Sequence, residues 1–260
     1  MQYYVVDAFT DTLFRGNPAG VCLLERDIPD SLMQRIAFEN NLAETAFVLP
    51  QADGYRLRWF TPEVEIDLCG HATLASAHVL LSEVHPEATE VGFQTVSGPL
   101  TVVRQGDHYV MDFPSRMPRP VPTPPLLARA LGCEVLETHL SRDLMAVVPD
   151  QAAVAGLSVD AGLLSQISQD VAFGVIVTAV GEGCDFVSRF FAPNAGVQED
   201  PVTGSAHSTL IPFWGKRLGR ARLLARQLSP RGGVLTCEDC GERVRIGGQA
   251  VCYLRGDLLL

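Results

Sequence analysis

Arg58-Trp59-Phe60-Thr61-Pro62 returns in the second half of the chain as Arg189-Phe190-Phe191-Ala192-Pro193. Gly70-His71-Ala72 returns as Gly204-Ser205-Ala206, and Gly98-Pro99-Leu100-Thr101-Val102 as Gly233-Val234-Leu235-Thr236-Cys237. Any one match is open to coincidence between strand-turn segments. Three in unchanged order and near-constant register point to a duplicated unit. At 260 residues the chain then divides into two similar lobes of ordinary domain size. Pro118, Pro120, Pro122, Pro124 and Pro125 crowd the midpoint and suit a stiff link, which sets the lobes at 1–116 and 117–260.

The repeated unit reads as an Arg-aromatic strand, a Pro-bearing loop, then a glycine-started apolar helix. Tyr55, Leu57 and Trp59 alternate with Arg56 and Arg58, the period of a half-buried strand. Ala72, Leu74, Ala75, Ala77, Val79, Leu80 and Leu81 leave little polar face, so this helix should be buried and wrapped by strands. Its partner runs from Ser205 to Trp214 and should kink or end near Pro212. Asp30 reads as the N-cap of a helix over Ser31–Asn40, with Leu32, Met33, Ile36 and Ala37 on one face. Phe93–Val103 and Phe173–Val180 read as strands. The fold class expected is α+β and two-lobed, with one buried helix per half.

Composition removes several function classes. A net charge of −10 disfavours a phosphate-backbone partner such as nucleic acid. The local basic cluster Lys216, Arg217, Arg220, Arg222, Arg226 and Arg231 reads as a solvated face or a subunit contact. Lys216 is the only lysine, which argues against Schiff-base and pyridoxal-phosphate chemistry. No apolar run is long enough to span a bilayer, and no secretory signal opens the chain. Seven scattered cysteines suit reduced thiols, so the expected location is cytoplasmic.

Helix starts carry unpaired N–H groups and partial positive charge, and so collect carboxylates and phosphates. Gly70 and Gly204 would let a ligand approach the backbone closely. Two such starts facing one another across a cleft would hold one small anionic substrate. The plainer reading, a glycine permitting a tight turn, applies to each start taken singly.

Phe14-Arg15-Gly16-Asn17-Pro18-Ala19-Gly20-Val21, Asn41-Leu42-Ala43-Glu44-Thr45-Ala46-Phe47-Val48, Phe60-Thr61-Pro62, Cys69-Gly70-His71-Ala72-Thr73 and Asp200-Pro201-Val202-Thr203-Gly204-Ser205-Ala206 resemble, in order, the motifs of the PhzF family. These are phenazine-biosynthesis-like isomerases related in fold to diaminopimelate epimerase. The resemblance implies two pseudo-twofold-related lobes, each a curled sheet or barrel around a central helix, with the site between them. It also implies proton transfer without a cofactor, and a homodimer. It makes Glu44 the base that removes a proton beside an unsaturated system and returns it elsewhere. Such a carboxylate should sit in a partly dry cleft with its pKa raised toward the working pH. His71 and Asp200 match residues that hydrogen-bond the substrate and help orient or shuttle the proton. Gly70, Gly204 and Ser205 match anion binders, and Asn17 a cleft-lining position.

Related racemases and epimerases use two cysteines, each just before the glycine-rich helix start of its lobe. Cys69 stands at the first such position, and Pro201 is read as the second, without a thiol. Cys69 is therefore assigned to packing and stereoinversion by two thiols is disfavoured. Other constellations fail. His71 and His78 have no third ligand in the sequence pattern, so no metal is expected. Cys237-Glu238-Asp239-Cys240 reads as a hairpin turn, and no P-loop or dinucleotide fingerprint is present. The function expected is a cofactor-independent isomerase of a small carboxylate-bearing molecule. The alternatives are an amino-acid-type racemase or epimerase, and a non-catalytic small-ligand-binding protein on the same scaffold.

Overall fold

A computed structural model describes residues 1–169 and 171–260 and resolves the chain into two compact units. The first comprises Met1–Asp112 with Gly247–Leu260, and the second Phe113–Ile246.

The first unit contains, in chain order, β1 (Gln2–Ala8), β2 (Asn17–Leu23), α1 (Asp30–Asn40), β3 (Glu44–Gln51), β4 (Gly54–Phe60), β5 (Glu65–Ile66), α2 (Gly70–Val79), β6 (Glu90–Thr95) and β7 (Gly98–Gln105). β8 (His108–Pro114) leads out of it. β2 lies antiparallel to β1 and parallel to β3; β4 is antiparallel to β3 and β5 and parallel to β6; β7 is antiparallel to β6 and β8. This curled sheet wraps α2, which packs on β1, β2 and β3. Every α2 residue except His78 is buried, as its apolar circumference requires. Leu80 and Leu81 continue it into one wider π turn, closed by the His85 N–H on the Leu80 carbonyl at 2.7 Å.

The second unit contains β9 (Arg119–Pro120), α3 (Leu127–Leu131), β10 (Glu137–Leu140), β11 (Leu144–Val147), α4 (Gln151–Ala155), α5 (Ala161–Ser168), β12 (Val175–Val180), β13 (Phe186–Ala192), β14 (Val197–Asp200), α6 (Gly204–Leu218), β15 (Arg222–Gln227), β16 (Gly233–Asp239) and β17 (Arg243–Gly248). Its pairing repeats the first unit's step for step. β11 is antiparallel to β10 and parallel to β12; β13 is antiparallel to β12 and β14 and parallel to β15; β16 is antiparallel to β15. The last strand, β18 (Ala250–Asp257), pairs with β1, as β9 pairs with β10. β1 and β10 thus each gain an outer neighbour, which explains two departures from the expected division at 116/117. The C-terminal strand belongs to the first unit because it completes the β1 edge. The proline-rich stretch is no free link: Pro120 and Arg119 register against His139 and Leu140, on an edge where proline's missing N–H costs nothing.

The Arg-aromatic repeat is built alike in both units. Arg58 forms a two-nitrogen salt bridge with Glu65 and lies over Phe60; Arg189 does the same with Glu199 and Phe191.

Other local expectations change. α6 runs through Pro212 to a left-handed cap at Gly219. The carbonyl that Pro212 leaves without its helical donor, that of Ser208, accepts the Arg116 N–H at 2.9 Å instead. Asp30 lies inside α1 without capping it, and its carboxylate pairs with Arg58 at 2.7 Å. On α1, Met33, Ile36 and Ala37 are buried, while Leu32 is half-buried. Phe93–Val103 is a hairpin rather than one strand, since Gly98 at φ +100° reverses the chain. Phe173 precedes its strand, which begins at Val175. In the basic cluster, Arg217, Arg220 and Arg222 pair with Glu137, Asp185 and Glu238. Cys240 turns the chain between β16 and β17, and all seven cysteines are free thiols. Among the described residues no helix is long and apolar enough to cross a membrane.

Candidate active site

In the first unit three separate segments converge on His71. The loop between β1 and β2 delivers Asn17. It is held by the Phe14 N–H on Asp7 Oδ2 at 2.9 Å and by Gly16 at φ +65°, where a Cβ would lie 2.1 Å from the Ala8 carbonyl oxygen. Only glycine fits that turn. Asn41, left-handed at φ 48°, ends α1 and turns the chain so that Glu44 opens β3 opposite Ala19 of β2. Cys69 is the N-cap residue of α2, in extended conformation, and His71 lies in the first turn.

His71 Nδ1 is 3.1 Å from Asn17 Nδ2 and 3.5 Å from Cys69 Sγ; its Nε2 is 3.0 Å from Glu44 Oε2. The Asn17 amide and the Cys69 sulfur thus lie on the Nδ1 side of the ring and the Glu44 carboxylate on the Nε2 side. His71, Asn17 and Cys69 are buried, and the Glu44 side chain retains 15% exposure. Burial pushes the Cys69 thiol up, and Glu44 adds to the effect, so the sulfur stays protonated near neutrality. For His71 burial alone acts downward. The neighbouring Cys69 and Glu44 outweigh it and raise the imidazole well above its usual range, with the Glu44 carboxylate the charge that counts while the thiol is protonated.

Glu44, Cys69 and His71 also bring an oxygen, a sulfur and a nitrogen within 4.8 Å of one another, a donor set of the kind that holds zinc. Sequence spacing did not reveal it, because the third ligand comes from another strand. The raised thiol opposes the thiolate such ligation needs. His78 takes no part: its Nδ1 is 3.1 Å from the Tyr109 hydroxyl.

In the second unit, Asp200 ends β14 and its Oδ2 accepts the Thr203 hydroxyl at 2.5 Å. Gln227, buried on β15, locks this turn: its Oε1 accepts the Thr203 N–H at 2.8 Å, and its Nε2 donates to the Asp200 carbonyl at 2.7 Å. Ser205, one residue past Gly204, accepts Arg142 Nη2 at 3.1 Å on its hydroxyl. The helix caps correct one alignment. Cys69 and Thr203 are the N-cap residues, so Thr203 rather than Pro201 is the counterpart of Cys69. Pro201 corresponds to Asp67, and the shared frame shows it: Ser97 Oγ donates to the Asp67 carbonyl, and Ser229 Oγ to that of Pro201.

Of the residues singled out in the sequence, the first unit brings Asn17, Glu44, Gly70 and His71 together, and the second groups Asp200, Gly204 and Ser205. Sequence reading missed Gln227 and Arg142, and missed that Cys69 touches His71. Arg142 sits between β10 and β11 as Asn17 follows β1, so extending the repeat upstream would have marked it, but no shared residues carry the alignment there.

The chain matches the phenazine biosynthesis-like protein family, PhzC-PhzF, over residues 6–256. It is 49% identical over 260 residues to an uncharacterized isomerase of Pseudomonas aeruginosa, covering 100% of this chain and 99% of that one. The crystal structure of a PhzF-family protein of Enterococcus faecalis superposes with a TM-score of 0.97 at 49% identity, over 100% of this chain and 99% of the other. A probable proline racemase of Agrobacterium radiobacter, crystallised with bound carbonate, shares the fold at a TM-score of 0.67 and 13% identity, over 100% and 93% of the two chains.

Proposed function

Because the chain belongs to the PhzF family of phenazine biosynthesis-like proteins and is an isomerase, we propose that it moves a proton, and with it a double bond, within a small unsaturated carboxylic acid without a cofactor. Glu44 removes the proton from carbon and returns it to another carbon of the same conjugated system. The observation that carries this reading is the contact of Glu44 Oε2 with His71 Nε2 at 3.0 Å, both side chains being largely buried. An imidazole held on its far side by Asn17 lies against the carboxylate, and its readiness to take positive charge matches the anionic form of the base. Asp200, Gly204 and Ser205 of the second unit are proposed as substrate-binding residues, with Asp200 held by Thr203 and Gln227. The enzyme acts as a homodimer.

The test is solvent deuterium wash-in over a panel of small unsaturated acids, followed by mass spectrometry and NMR of the recovered acid. Exchange with a shifted double bond supports the reading. Inversion at a stereocentre would instead support the racemase alternative, which the contact of Cys69 Sγ with His71 keeps in play. That alternative lacks a second thiol, since Thr203 stands opposite Cys69 in the repeat and gives its hydroxyl to Asp200. Binding without exchange would leave a non-catalytic ligand-binding protein.

A further inference from the structure

We propose that Arg142 is a carboxylate anchor at the helix start of the second unit, a specificity-determining residue outside every motif that marks the family resemblance. This rests on the reading of the chain as an isomerase of a small carboxylic acid.

The internal repeat locates it. In the first unit the residue after the helix glycine, His71, is met by Asn17 from the β1–β2 connection. In the second, the residue after the helix glycine, Ser205, is met by Arg142 from the β10–β11 connection. Equivalent positions carry an amide beside the proton-transfer pair in one unit and a guanidinium in the other.

The arginine is held rigidly. Nε lies 3.1 Å from both oxygens of Asp143, and Nη2 lies 2.8 Å from Oδ2, with the Asp143 side chain 1% exposed. The Phe173 ring stacks against the guanidinium, 4.8 Å from centroid to Cζ. The turn itself is tied to α6 by Ser141 and Thr209, whose hydroxyls lie 3.3 Å apart, and to the chain beyond by the Phe173 N–H on the Arg142 carbonyl. One edge of the fork is spent on these contacts. Nη1 has no hydrogen-bond partner among the described residues, and the side chain keeps 31% exposure. A surface arginine serving only stability would not need a buried aspartate, a serine and a stacked ring to fix its plane. With Nε and both Nη2 N–H groups held by Asp143 and Ser205, the plane is fixed and the two Nη1 N–H groups are left to meet one carboxylate oxygen. The exposed Phe173 ring beside it offers an apolar wall to an unsaturated carbon skeleton.

The experiment compares benzoate with benzamide, equal in shape and different in charge, by calorimetric titration of the full chain. Wild type should bind benzoate at least about tenfold more tightly than benzamide, the weight of a charge-assisted pair. Arg142→Gln should erase that preference, and Arg142→Lys should restore part of it. Because the glutamine strands the buried Asp143 carboxylate, the double variant R142Q/D143N is measured beside it, and it too should lose the preference. A wild type that fails to distinguish the two probes, or an R142Q/D143N protein that distinguishes them as well as wild type, overturns the anchor. Loss of proton exchange with the benzoate preference intact would strike the isomerase reading alone.

Discussion

The two helix starts share one frame and fill it with different side chains. In each, the side chain three residues past the glycine bonds the carbonyl of the N-cap residue: Thr73 Oγ1 to Cys69, and His207 Nδ1 to Thr203 at 2.8 Å. In each, a serine holds the carbonyl two residues before that cap. The contents then diverge. The first start surrounds a histidine with a carboxylate and a thiol; the second surrounds a threonine with an aspartate and a glutamine. His71 is pushed up, against its burial, by Cys69 and Glu44 beside it, whereas His207, equally enclosed but without an acid, is pushed down by burial to about 4. The repeat keeps the backbone geometry that makes a helix start polar and differs at a few side chains, and the proposed function gives proton transfer to the first copy.

The sharpest test of that division is Glu44→Gln, which should lower deuterium exchange about a hundredfold to ten-thousandfold. Thermal melts should stay close to wild type; near-normal exchange would remove Glu44 from the chemistry. Next in size is the buried histidine of the second copy. A folded-state pKa of about 4 means His207 favours the fold above about pH 6.5 and loses that contribution as pH falls toward 4, about 3 kcal/mol in all. His207→Thr, which installs the first copy's residue, should flatten the acid limb of urea-derived stability measured across that window. An unchanged slope would mean other groups set it.

Gln227→Leu should cost about 2 kcal/mol in chemical denaturation by stranding the Thr203 N–H and the Asp200 carbonyl. It should depress exchange further than that loss of folded protein explains, because the Asp200 turn loosens. A smaller effect is expected on the His71 imidazole, followed by NMR. In wild type it titrates above its usual range, so its contribution to stability is present at acid pH and fades as pH rises through the folded value. In Glu44→Gln its pKa should fall, because burial then acts with the carboxylate gone. The smallest expected effect is none: prolonged chelator treatment should leave exchange unchanged, and loss restored by zinc would make Glu44, Cys69 and His71 a metal site.

The duplication, the buried α2 and the Arg-aromatic strands were legible because each is local. Apolar positions on all sides of Gly70–Val79 and alternation over Tyr55–Trp59 declare burial directly. Pro212 misled because its cost depends on a partner elsewhere, the Arg116 N–H. The proline-rich stretch misled because a proline is equally at home in a link and on a sheet edge, and only pairing with β10 decides. Glu44, His71, Asp200 and their neighbours were singled out through their motifs, not through any property visible in their spacing.

By itself the sequence determined that two like units fold from one chain and that each buries a glycine-started helix, since hydrophobic pattern and repeated segments act over a few residues. Tertiary structure alone decided who meets whom. Asn17 reaches His71 across 54 positions and Arg142 reaches Ser205 across 63. Those meetings depend on strand register, and register is fixed cooperatively by the whole sheet closing around its helix.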